Sequence, residues 1–101
     1  MLFMFRLLDK PHAADLRDRV RPEHKAYLAQ VAAHIAFAGP LVADDGKAMV
    51  GSLLVIDFDS RDAARAWLAD EPFTRAGLYA STELLAFVNL WPQKTGFPPQ
   101  P

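Results

Sequence analysis

The chain has 101 residues, 51% of them hydrophobic, a formal net charge of −1 and no cysteine. That length suits one domain with a single core, and the near-neutral balance excludes the basic surface that nucleic acid requires. Without cysteine there is no disulfide framework, no thiolate nucleophile and no thiolate metal site.

In chain order, Leu2 to Leu8 is an apolar run closed by Asp9-Lys10-Pro11, which predicts a first strand buried on both faces. Arg6, Asp9 and Lys10 interrupt it too early for a signal h-region or a membrane span, so the protein is expected to be cytoplasmic and free of membrane. From Pro11 to Arg21 the charges alternate in sign, as on a short exposed helix or an ordered loop. Pro22 disfavours helical geometry at Arg21, so the main helix is expected to start at Pro22 and run to about Ala36, stopped by Gly39-Pro40.

At about 100° per residue, Leu16, Val20, His24, Tyr27, Leu28, Val31 and Ile35 share one stripe, with Arg17, Asp18, Arg21, Lys25 and Gln30 mostly away from it. His24 therefore sits among apolar side chains. It reads either as a core or interface histidine satisfied by its neighbours, or as a cleft histidine that moves protons. Near a helix N-terminus the dipole would favour its neutral ring.

Leu41-Val42-Ala43, the turn Asp44-Asp45-Gly46-Lys47 and the strand Met49 to Phe58 form a hairpin. Both faces of that last strand are apolar, and helices can cover only one, which argues for self-association. Gly51-Ser52 inside it marks a bulge or a close approach, with Ser52 bonded locally or facing a ligand. Asp59 or Ser60 caps a second helix with the buried stripe Ala63, Ala64, Trp67 and Leu68, which Asp70-Glu71-Pro72-Phe73 stops. A turn through Thr74-Arg75-Ala76-Gly77 leads to a last strand from Ser81 to Trp91. The domain is thus residues 1–91, and the Pro-rich tail 92–101 is expected to be extended.

The order β-α-β-β-α-β predicts an α+β, ferredoxin-like protomer: a four-stranded antiparallel sheet with both helices on one face. Its other face is apolar and uncovered, and a twofold homodimer that packs two such sheets together buries it.

Asp9, Arg17, Arg21-Pro22-Glu23-His24 with Tyr27-Leu28, Ala38-Gly39-Pro40-Leu41, Gly51-Ser52, Pro72-Phe73 and Ala76-Gly77-Leu78-Tyr79 together resemble the YciI-like (YCII-related) proteins. The resemblance covers nearly the whole chain apart from the tail. It implies a dimeric α+β barrel and a cleft holding a histidine and an acidic residue. Muconolactone isomerases share the broad fold, and a chloromuconolactone dehalogenase is similar to the family. Where the family usually has Asp before the Pro-Phe pair, this chain has Glu71, with Asp70 one position earlier.

Carried over residue by residue, the resemblance implies His24 as base or acid and Glu71, or else Asp70, as the carboxylate that orients or charges it. Glu71 also reads as a surface acid that ends a helix. Arg17, Arg21, Ser52 and the backbone around Gly39 are candidates for holding a polar or anionic small molecule, since an arginine fork can bond both oxygens of a carboxylate. His12, His24 and His34 lack ligand spacing, so neither a metal nor another cofactor is expected. The chain is then either a small cofactor-independent enzyme of lyase, isomerase or dehalogenase type, or a non-catalytic binding module with a structural histidine.

Overall fold

A computed structural model describes residues 1–91; the expectation for the tail, 92–101, lies outside the described residues. The elements are β1 (Leu2–Asp9), α1 (Ala14–Ala29), a 3₁₀ turn (Ala32–His34), β2 (Ile35–Val42), β3 (Met49–Asp57), α2 (Arg61–Ala69), the short helix α3 (Pro72–Arg75) and β4 (Tyr79–Phe87). All neighbouring strands are antiparallel, in the order β2-β3-β1-β4. This is the ferredoxin-like α+β arrangement the strand and helix order predicts.

The alternation in β1 sends Phe3, Phe5 and Leu7 to the helices, where they pack with Leu54, Ile56 and Ala64. Trp67 of α2 closes this core, with its ring centroid 5.5 Å from that of Phe5 and 5.1 Å from that of Tyr27. The Tyr27 hydroxyl donates to the Trp67 carbonyl at 2.8 Å and ties α1 to α2. Contrary to the expectation for β1, its second face is not buried: Arg6 there is exposed and paired with Glu83. On that face Phe37 and Phe87, from opposite edges of the sheet, approach to 6.4 Å, so the sheet curls over Val55.

Several boundaries differ from the sequence expectation. Pro22 does not break the first helix, which is continuous from Ala14 to Ala29. It sits on the face opposite Arg17 and His24 and is exposed, so water can satisfy the carbonyl left without an N–H partner. The helix also ends at Ala29, because Ile35–Val42 pairs with β3 instead. Gly39-Pro40 therefore lies inside a strand, which proline tolerates because β2 is an edge. Of the two expected cap candidates, Ser60 is the one that caps α2, accepting from the Ala63 N–H. Pro72–Arg75 is a helical turn, and β4 stops at Phe87, opposite Leu2, where β1 runs out.

The two strand glycines differ in their need for hydrogen. A Cβ on Gly51 would lie 2.3 Å from the Leu7 carbonyl oxygen, whereas one on Gly39 meets nothing within 4 Å. Gly51→Ala is therefore expected to destabilise the fold by about 1–3 kcal/mol in urea denaturation, and Gly39→Ala to leave the midpoint nearly unchanged.

Candidate functional site

Arg17 and His24 lie seven residues apart on α1 and so leave it on one face, two turns from each other. They are the two buried residues of that helix, 3% and 7% exposed. The placement of Arg17 away from the stripe is thus corrected: the inner face of α1 is polar here. His24 is in the middle of the helix, not at its N-terminus, so the dipole argument for its neutral ring falls away.

Each side chain meets a carboxylate from another element. Arg17 donates through Nε to Asp9 Oδ2 at 2.7 Å and through Nη2 to Asp9 Oδ1 at 3.1 Å. The same Nη2 donates to Ser52 Oγ at 3.1 Å, which fixes that hydroxyl on β3 and leaves its hydrogen free to donate. His24 Nδ1 hydrogen-bonds Glu71 Oε1. Between the two, the Phe73 ring stacks on the imidazole at 4.1 Å and lies under the Arg17 guanidinium at 4.7 Å.

Glu71 is fully buried, not a surface acid, and it is the N-cap of α3. Its Oε2 accepts from the Thr74 N–H at 3.1 Å and from the Tyr79 hydroxyl at 3.2 Å. Burial first, and then the Glu71 charge, push the Tyr79 hydroxyl well above its ordinary value, so it stays a donor. Asp70 is exposed at the C-cap of α2 and makes no bond to His24, which corrects its candidacy as the partner carboxylate.

With Nδ1 bound to a carboxylate, the neutral His24 ring carries its proton there, and Nε2 has a free lone pair. That nitrogen has no partner among the described residues, yet no buried polar side-chain atom among them is left unsatisfied, so Nε2 is not sealed in the core. There is a cleft of about 150 Å³ between α1 and the β2–β3 edge, lined by Arg17, Arg21, His24, Lys25, Leu28, Gly39, Ser52 and Leu54, among others. His24, Arg17, Arg21, Ser52 and Gly39 are thus gathered at one place, with Glu71 behind the histidine. Among the described residues no three His, Asp or Glu side chains are grouped as a metal ligand set. No helix among them is long and apolar enough to cross a membrane.

Sequence reasoning did not place Asp9, Phe73, Tyr79 or Lys25 in the site. The signal for the first three was their position in the motifs already quoted. For Lys25 it was the spacing of four from Arg21.

Residues 1–88 match the YCII-related domain. Protein YciI of Escherichia coli is 33% identical over 98 residues, 90% of this chain and 100% of that protein. A solved structure of 5-chloro-2-hydroxyhydroquinone dehydrochlorinase (TftG) from Burkholderia phenoliruptrix, in complex with 2,5-dihydroxybenzoquinone, is 33% identical. Its TM-score is 0.82, over 87% of this chain and 94% of that one. An antibiotic biosynthesis monooxygenase, 20% identical with a TM-score of 0.52 over 87% of this chain and 99% of that one, shares the fold. A domain match from end to end of the sheet, with a third of the residues shared by relatives over nearly their full length, means that this chain belongs to the YCII-related domain family.

Proposed function

We propose that this protein is a small cofactor-independent enzyme of lyase or isomerase type, with His24 moving a proton on a small carbonyl, lactone or carboxylate substrate. The observation that carries this is the pairing of His24 Nδ1 with a buried carboxylate in a histidine that lines the cleft. Nε2 takes a proton from a carbon next to a carbonyl, and Glu71 stabilises the imidazolium that forms. The C–H electron pair moves into an enolate, whose oxygen accepts a hydrogen bond from the Ser52 hydroxyl. Returning the proton at a different carbon gives isomerisation. Expelling a leaving group with that electron pair gives elimination, and the dehydrochlorinase activity of the 33% identical TftG supports this branch. Ser52 bonds Arg17 and not His24, so it lacks the adjacent base that a serine nucleophile needs.

We further propose a cytoplasmic homodimer in which two copies face each other across the open side of the sheet. Leu85 lies there beside Met4 and is 51% exposed. Sedimentation should then give twice the chain mass of 11.2 kDa, and Leu85→Glu should give the single-chain mass.

The acid-base pair is tested by deuterium uptake from solvent into a panel of cyclic ketones, lactones and hydroxylated quinones, followed by NMR. His24→Gln is expected to slow the reactive compound by about 10²–10⁴-fold. Glu71→Gln is expected to lose at least about 10²-fold, and Asp70→Asn to change nothing. Native rates in folded His24→Gln, or no uptake by any compound, would sink the proposal.

The raised Tyr79 hydroxyl sets the sign of an alkaline effect. The unfolded chain releases this proton near its ordinary value of 10.0 and the folded chain only higher. The contribution to stability is therefore intact below that pH and is lost as pH rises above it. Urea midpoints for Tyr79→Phe, compared with native between about pH 8 and about pH 11, should show a shallower alkaline fall. Near neutrality the variant should be less stable by about 1.5–3 kcal/mol through the lost bond to Glu71.

A further inference from the structure

Three cationic side chains line the cleft, and they are not equivalent. Arg17 is spent: it holds both Asp9 oxygens and Ser52, and its guanidinium lies over Phe73. Arg21 and Lys25 form no ion pair within 4.0 Å among the described residues, although Asp18 and Glu23 share their helix. They stand four residues apart on α1, on either side of His24 in sequence, and both face the cleft. Like charges at that spacing repel each other. An anion placed between them removes the repulsion.

We infer that Arg21 and Lys25 are the seat for a carboxylate, and that the site takes a ring-sized organic monoanion with its reacting carbon inward at His24. The inference rests on the proton-transfer proposal only for the position of that carbon. Size supports the ring, since an apolar cavity of about 150 Å³ holds one benzene and the cleft has about that volume. Charge supports the anion, because no acidic side chain among the described residues lines the cleft, and Leu28, Ala38, Pro40 and Leu54 offer apolar side chains to the ring. Arg21 is half-buried at the rim and can present a planar fork to both carboxylate oxygens, while Lys25 is exposed and adds a flexible point charge. The ring then lies along Leu28 and Leu54, with Ser52 at its far end.

The test measures binding without turnover. Sodium benzoate and its neutral isostere benzamide are titrated into the native chain, Arg21→Gln, Lys25→Gln and the double variant, with backbone amide shifts as the readout. Arg19→Gln is the control, because it removes one positive charge from an exposed position outside the cleft. Saturable benzoate binding that moves the Ser52 and Leu54 amides is expected, with benzamide at least tenfold weaker. Each single variant should weaken benzoate about tenfold, or about 1.4 kcal/mol, the double variant should abolish saturation, and Arg19→Gln should bind as native does. Equal binding of the two probes, no benzoate binding, or an equal loss in Arg19→Gln overturns the seat. None of these outcomes bears on proton transfer at His24, and inactivity of the deuterium assay would leave a measured benzoate preference standing.

Discussion

One phenyl ring holds the site together. Phe73 touches both Arg17 and His24, with the guanidinium over its ring and the imidazole stacked on it. A desolvated cation over an aromatic face contributes about 2 kcal/mol, and the stacked imidazole cannot turn without leaving the ring. Phe73 itself depends on α3, a helix of four residues that nucleates only because Glu71 caps it and Pro72 presets its first turn. Orientation of the histidine is thus a consequence of how the chain leaves α2.

The inner face of α1 is built in two halves with different physics. Toward its C-terminal end, Tyr27 and Leu28 meet Trp67 and the apolar core, where burial itself supplies stability. Toward its N-terminal end the buried groups are charged or polar, and taking them from water is costly unless each is paired. Asp9 with Arg17 and Glu71 with His24 meet that requirement, with Ser52, Thr74 and Tyr79 satisfying what remains. Removing one partner of a buried pair costs about 3–5 kcal/mol, so the aromatic half must hold the fold while the polar half shapes the cleft. That division also explains why shape-preserving substitutions are the informative ones here.

Much of the fold was legible in the sequence because β1 and β3 are short apolar runs bounded by turn residues, α2 carries one apolar stripe, and the turn at Asp45-Gly46 is unambiguous. His24, Ser52, Arg21 and Glu71 were legible as candidates by residue type and motif. Arg17 was misplaced because the wheel was aligned on apolar residues, and on this helix the buried positions are the polar ones. Residues 17 and 24 are two turns apart, so His24 alone could have located Arg17. The helix boundaries failed for tertiary reasons. Strand pairing of β2 claimed Ile35 and Ala36 from the helix, and anchoring of α1 on both sides of Pro22 outweighed the local cost of the proline.

Glu71 does two jobs with one carboxylate. Oε2 caps the backbone of α3 while Oε1 bonds the imidazole of α1. Aspartate is the better N-cap by propensity, but it is one methylene shorter and has less reach to serve a cap and a distant ring together. Because a carboxylate is planar, fixing Oε2 on Thr74 and Tyr79 also fixes the direction in which Oε1 points. The tautomer of His24, and with it the free lone pair on Nε2, is therefore set by the same bonds that fold α3. Neither Asp70, two positions before Pro72 and exposed, nor the dipole of α1 can set it. The orientation of His24 in the cleft and the local stability of residues 71–75 are in this sense one property of the chain.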